Sequence, residues 1–362
     1  MEAFIKCRVR PALLPLIANY FQDRSMVVHW NNATSDSFSL PGSTAQGSTY
    51  GCLEFLAVSN DNTHFVQEKD EAYKFMDDCT LLTVVNLVGA GLATYNVRNH
   101  VPSHIPVHNQ FINSDNLQAQ EYLNQVDKWT DSKTMKLNTR KTKCMIFNPT
   151  MKKQFTTNLT LKGDPVEIVD QYKSLGIILS NDLKWNLNTA KIVQKANMRM
   201  KILHTAAKFT SNISDLKIIY NQYIRSVLEY GSNVWHSGLT QQNRNDIERL
   251  QRGAVKIILK NNYESYKSAL KFLNMDSLDH RREKMNLSFA KKCLKVDQMK
   301  SLFPQKNTRK TRHKYKFMVN KSKSERYKKS SVPTMQNLLN SDIMSKHVSC
   351  KQRTVHTFVP NL

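Results

Sequence analysis

Between residues 184 and 260 apolar side chains recur at helical spacing three times over, and this constrains the fold more than any other feature. Ala190, Val193, Ala196, Met200, Leu203 and Ala207 form one stripe. Leu216, Ile219, Tyr220, Tyr223, Ile224, Val227 and Leu228 form a second, with Ser214 placed to cap it and Gly231 to stop it. Ile247, Leu250, Ala254, Ile257 and Ile258 form a third. Helices of this kind owe most of their stability to burying the stripe rather than to intrinsic propensity. Three of them with short connections bury their stripes against one another, so a helical bundle is expected over 184–298.

Upstream the periodicity is mixed. Ala12 to Tyr20 reads as a short helix, and Met26 to Trp30 and Ser37 to Leu40 alternate like a hairpin around a polar Asn31 to Asp36 turn. Leu117 to Trp129 returns to helical spacing, with Ala119, Tyr122, Leu123, Val126 and Trp129 on one face. Leu159 to Leu161 and Val166 to Val169 flank the turn composition Lys162-Gly163-Asp164-Pro165, and Gly176 to Leu179 supplies a further strand. The fold class expected is α+β, with a mixed region over 1–147, a small β unit over 148–183, the helical domain over 184–298 and a tail over 299–362. Between Ser301 and Ser330 eleven Lys or Arg residues face one acid, Glu325. So few apolar side chains cannot offset ordering entropy, and the tail is expected to be disordered, with Val332 to Leu339 at most a short helix.

Charge points to the class of partner. There are 53 Lys and Arg against 29 Asp and Glu, a formal charge of +24. Such an excess attracts polyanions through the phosphate backbone without sequence preference, and the basic tail is the expected non-specific nucleic-acid contact. The six cysteines are scattered without paired spacing, which fits a reducing intracellular compartment, nuclear or cytoplasmic. No apolar run approaches the length of a membrane span, so no membrane partner is expected. Nothing fixes the oligomeric state. His100, His104 and His108 recur every fourth residue, but Pro102 and Pro106 between them forbid the helix that would gather them into a metal site.

One short segment carries chemistry. Phe75-Met76-Asp77-Asp78 lies between Glu71 to Lys74 and Cys79 to Val85, two short runs of β-formers turned at an acidic pair. Two carboxylates at a hairpin tip offer hard oxygen ligands for Mg²⁺. Upstream lie Leu40-Pro41-Gly42-Ser43-Thr44-Ala45-Gln46-Gly47-Ser48 and Gly51 to Leu56; downstream come Lys136 to Phe147, with Asn138, Lys141 and Thr142, then Tyr172-Lys173-Ser174-Leu175-Gly176-Ile177. Ile224 to Gly231, Val234-Trp235 and Ile247 to Gln251 follow.

In order and spacing these segments resemble the reverse transcriptase of non-LTR (LINE-type, jockey-like) retroelements, over roughly residues 10 to 295, with Ala45 standing where that family usually has Pro. The resemblance implies a partial right-hand polymerase palm of antiparallel strands and helices, followed by a helical thumb. It implies Asp77 and Asp78 as metal ligands of a paired-Mg²⁺ site, and Gln46, Gly47, Phe75, Met76 and Lys141 around the nucleotide and template. Leu175 and Gly176 would form a primer-grip-like turn, and the partners would be an RNA template and a DNA primer. The family takes one further aspartate from an earlier palm strand. The first forty residues offer only Glu2, Asp23 and Asp36, none in an apolar strand pattern. The expectation is therefore a reverse transcriptase that starts too late and is catalytically incompetent as written. The alternative is a non-catalytic nucleic-acid-binding fragment, or a decayed retroelement product.

Overall fold

The computed structural model describes residues 2–40, 49–59, 66, 71–75, 78–82, 113–133, 135–147, 158–305, 317–319 and 324–355. The fold is mixed α+β and divides into two units, Met1–Cys144 with Gln154–Ile168, and Met145–Lys153 with Val169–Leu362. The strands expected together over 148–183 thus fall in both.

In the first unit, α1 (Glu2–Lys6) and α2 (Leu14–Phe21) lead into a ribbon. Strand β1 (Ser25–Met26) pairs antiparallel with β4 (Phe38–Ser39), and β2 (His29–Trp30) with β3 (Ala33–Thr34). The hairpin read from the sequence is present, but its turn is only Asn31 and Asn32, at φ 44° and 65°. Two successive left-handed residues make the tight turn whose twist matches its strands, and asparagine tolerates that conformation. After α3 (Thr49–Ser59) comes the acidic hairpin, β5 (Glu71–Phe75) against β6 (Asp78–Leu82). Helix α4 (Asn113–Ser132) buries Tyr122 and Val126 and lays Ala119 and Leu123 on a small core of Leu159, Leu161 and Val166, the face its periodicity predicts. That core belongs to β7 (Lys143–Cys144), β8 (Thr160–Leu161), β9 (Asp164–Pro165) and β10 (Glu167–Ile168) and the residues between them; β8 pairs with β9 antiparallel and β7 with β10 parallel. Lys162, at the β8–β9 turn, ties the sheet to the helix through Asp127 (3.1 Å) and Asp131 (2.9 Å).

The second unit opens with the hairpin β11 (Gln171–Ser174) and β12 (Ile177–Ser180) and is otherwise helical. Its helices are α5 (Asn186–Phe209), α6 (Ile213–Ile219), α7 (Ser226–Glu229), α8 (Ser232–Trp235), α9 (Gln241–Leu259), α10 (Tyr266–Phe272), α11 (Leu278–Cys293), α12 (Asp297–Lys300), α13 (Glu325–Lys328) and α14 (Ser331–Val355). The three stripes meet as expected: Ala196, Leu203, Leu216, Tyr220, Ile224, Leu228, Ile247, Ala254 and Ile258 share one core, joined by Trp235 and Leu278. Three details differ. Asn212, not Ser214, caps α6, its side chain accepting from the Ser214 amide at 3.0 Å. Ala190 is exposed. Tyr223 also faces out, because residues Tyr220–Arg225 form a π-helical turn that inserts a residue into the 3.6 period and rotates the stripe past it.

The expectation of a disordered tail is corrected for its described part. Helix α14 packs on α11, and Met335 and Leu339 join Phe303, Phe317, Ala290 and Cys293 in a second core. The Asn340 amide clamps one residue from both sides, accepting from the Phe317 amide at 3.0 Å and donating to its carbonyl at 3.1 Å. Lys291 and Asp342 add an ion pair at 2.9 Å. The apolar residues that make this core are too widely spaced, between basic runs, to show as a stripe. Among the described residues no helix is long and apolar enough to cross a membrane.

Candidate nucleic-acid interface

The hairpin expected around the acidic pair is present, but Asp78 stands on its second strand rather than at the tip. Phe75 pairs with Asp78 and Glu71 with Leu82. Asp78 begins β6 with its residue exposed. Met76 and Asp77 lie outside the described residues, as do Gln46 and Gly47, and of Phe75 only the backbone is described. Among the described acids of the first forty residues, none lies on a strand: Glu2 is in α1, ion-paired with Lys6, Asp23 follows α2 at φ 53°, and Asp36 lies between β3 and β4.

Lys141 sits in a turn rather than on the strand where motif spacing puts it. Its amide donates to both the carbonyl and the side chain of Asn138, each at 3.1 Å, and its side chain is free to face solvent. The adjacent strand lysine, Lys143, is ion-paired with Glu167.

In the second unit, two segments far apart in sequence meet. Leu175 and Gly176 form the two-residue tip between β11 and β12, both left-handed, at φ 46° and 85°. The Tyr230 hydroxyl donates to the Leu175 carbonyl at 2.7 Å, and a Cβ on Gly176 would lie 3.2 Å from the Tyr230 ring. Gly231 is left-handed as well, at φ 60°, and a Cβ there would come within 2.6 Å of Ile177 Cδ1. Tyr230-Gly231 is therefore the seat of this hairpin. Leu175 itself is 46% exposed, a bulky residue in a conformation that disfavours it.

The helical unit also holds buried polar groups that sequence reading missed. Fully buried Gln251 accepts from the Tyr220 hydroxyl at 2.6 Å and donates to the Tyr266 hydroxyl and the Asp276 carbonyl, each at 2.9 Å. Tyr266 hydrogen-bonds Glu248, which accepts from the Leu278 amide at 3.3 Å. Burial pushes both phenols above their usual range. Nearby, fully buried Arg282 lies over the Trp235 ring at 5.6 Å and donates from Nε to His236 Nδ1 at 3.2 Å. Arg244 bonds Asp279 at 2.5 Å and the His236 carbonyl at 3.2 Å. Burial, then Arg282 and Arg244, push the His236 imidazole down to about 3, against the opposing pull of Asp279.

His236, Asp279 and Glu283 are the one group among the described residues whose ligand atoms lie close enough, within 4.8 Å of one another, to hold a metal. The surrounding chemistry opposes it. A neutral His236 that accepts at Nδ1 carries its proton on Nε2, the nitrogen that faces Asp279. Two guanidinium groups already neutralise the carboxylate. His236 and Asp279 are engaged by the two arginines, and Glu283 is exposed.

No family model, curated protein or solved structure matches the chain.

Proposed function

We propose that the chain is part of an RNA-directed DNA polymerase of the non-LTR retroelement type, with palm elements in the first unit and a thumb in the second. The observation that carries it is the antiparallel hairpin in which Phe75 pairs with Asp78, with Met76 and Asp77 between them in the sequence. Support comes from the motif order around it and from the contact between the Leu175-Gly176 tip and Tyr230, which joins the two segments likened to a primer grip and a thumb. The reaction is templated addition of deoxynucleotides to a 3′-hydroxyl. Asp77 and Asp78 would hold Mg²⁺, which supplies neutralisation of phosphate charge. Carboxylates from one hairpin reach a metal from one side only, and Mg²⁺ demands near-octahedral placement. A third carboxylate is needed, and no described strand of the first forty residues carries one.

Primer extension on an RNA template tests this. Residues 1–362 should bind template–primer but extend it no better than their Asp77→Ala variant. The same chain fused at its N-terminus to an apolar strand bearing an aspartate should extend in an Asp77-dependent way. Extension by residues 1–362 that Asp77→Ala abolishes would overturn the incompetence; absence of any template–primer binding would overturn the polymerase. The charge of +24 independently favours a second function, non-catalytic binding of nucleic acid. Binding without extension by either chain would establish that one.

A further inference from the structure

Helix α5 is apolar on two faces. Its inner face buries Ala196, Leu203 and Ala207, while Leu187, Met198, Ile202 and Phe209 stand 48%, 56%, 50% and 86% exposed. At 3.6 residues per turn these four outer residues fall within about 60° of arc. Lys191 lies among them, and Lys195 and Lys201 flank them on either side. The helix carries five Lys or Arg residues and neither Asp nor Glu.

Beside it runs the π-helical turn Tyr220–Arg225. Tyr220 and Ile224 are fully buried, yet Tyr223 between them is 52% exposed. The widened turn leaves the Tyr223 carbonyl available, and Arg199 of α5 donates to it from Nη1 at 2.6 Å. This contact ties the Tyr223 backbone to Arg199, which on a 3.6-residue helix lies about 60° from Ile202 and about 100° from Met198. π-turns cost hydrogen-bond geometry and concentrate at functional positions. The nearest acid on the following helix, Glu229, is engaged by Arg281 and Arg225.

An acid-free, lysine-bordered face repels a second copy of itself and calls for an anionic partner. The apolar and aromatic centre calls for one whose flat faces are open. Unpaired nucleotides meet both requirements, whereas a duplex hides its base faces behind its phosphates. We propose that this face of α5 and the π-turn binds single-stranded nucleic acid, with Tyr223 stacking on a base beside Met198 and Ile202, and Lys195, Arg199 and Lys201 holding the adjoining phosphates. The choice of polyanion rests on the nucleic-acid function proposed above; the site does not depend on polymerisation.

The test uses the full chain and a short single-stranded oligonucleotide carrying 2-aminopurine, with the matching blunt duplex as comparison. Wild type should quench 2-aminopurine in the single strand and bind it more tightly than the duplex. Tyr223→Ala should abolish the quenching and weaken binding about tenfold, the scale of one lost base stack, while Tyr223→Phe should behave as wild type. Lys195→Gln with Lys201→Gln should flatten the salt dependence by about 1.4 in log–log slope, at about 0.7 per phosphate contact. Unchanged far-UV circular dichroism certifies the fold of each variant. Quenching and affinity untouched by Tyr223→Ala would overturn the site and leave the nucleic-acid function standing. No binding to either oligonucleotide would overturn both. Tyr223-dependent affinity for an acidic peptide, with none for the oligonucleotide, would overturn it in favour of a protein partner.

Discussion

The two units are built from opposite economies of hydrogen bonding. In the first, every sheet among the described residues has two strands, and in the Ser25–Ser39 ribbon all paired residues are exposed. In the second, Leu203, Leu216, Tyr220, Ile224, Leu228, Trp235 and Ile247 have essentially no exposed surface. A helix satisfies its backbone within itself and needs neighbours only for its stripe. A strand needs a partner on each edge, and a two-stranded ribbon is marginal in water. Stability should therefore sit in the helical unit.

Matched tryptophans break or confirm this most directly. Trp235 is fully buried and donates from Nε1 to the Tyr230 carbonyl at 3.0 Å, whereas Trp30 is 77% exposed on the ribbon. Trp235→Ala should cost about 3–5 kcal/mol. Trp30→Ala should stay within about 0.5 kcal/mol. Thermal unfolding followed by circular dichroism distinguishes them, and equal shifts would end the contrast.

The next effect is pH-dependent and confined to the helical unit. His236 is held near pKa 3, below its ordinary 6.5, by burial and by Arg282 and Arg244. The unfolded chain takes up a proton below about pH 6.5 that the folded chain refuses until about pH 3. Stability from this group is therefore complete above 6.5 and declines as pH falls through that window, at most about 1.4 kcal/mol per pH unit. His236→Asn keeps an acceptor for Arg282 without titrating. Urea unfolding between pH 7 and 4 should show a flatter profile for the variant; identical slopes would assign the dependence elsewhere.

A smaller contrast separates two left-handed glycines. At Gly231 a Cβ would meet Ile177 Cδ1 at 2.6 Å, while at Gly163, φ 84°, nothing lies within 4 Å. Gly231→Ala should combine overpacking with backbone strain, about 2–4 kcal/mol. Gly163→Ala should show the strain alone, about 1–2 kcal/mol. Melting curves of the two variants that coincide would mean Ile177 simply moves aside.

What the sequence made legible follows the same division. The stripes of α5, α6–α7 and α9 were readable because burial repeats at fixed spacing. Tyr223 was misplaced because a π-turn breaks that period without any Pro or Gly to announce it. Helix α11 shows no stripe in the sequence, since its buried face carries Arg282 and Asn286 beside Leu278, Ala290 and Cys293. The tail's core was hidden because Phe303, Phe317 and Met335 are brought together only by tertiary packing. Of the candidate site, the presence of a hairpin around the acidic pair was legible from the β-formers that flank it. The contact of Tyr230 with Leu175 was not, because 55 residues separate them and no local pattern encodes it.

Leu175 supplies the finest test, and it runs opposite to the others. The ribbon closes its two-residue turn with Asn31-Asn32, and the β8–β9 hairpin with Lys162-Gly163; β11–β12 uses Leu175-Gly176 in the same left-handed conformation. Leucine is the poorest fit of these first-position residues, because its Cβ crowds the following carbonyl and its side chain hydrogen-bonds nothing there. Leu175→Asn should stabilise the hairpin by about 0.5–1 kcal/mol, since Asn-Gly is the favoured pair for this turn. The Tyr230 hydroxyl bond to residue 175 uses only a backbone carbonyl, so the substitution leaves it intact. A gain in melting temperature with weaker template–primer binding would mean that strain and exposure are retained at position 175 for contact with a partner. A gain in melting temperature with unchanged binding would make the leucine incidental and remove the tip from the interface, leaving Tyr230-Gly231 as a packing seat alone.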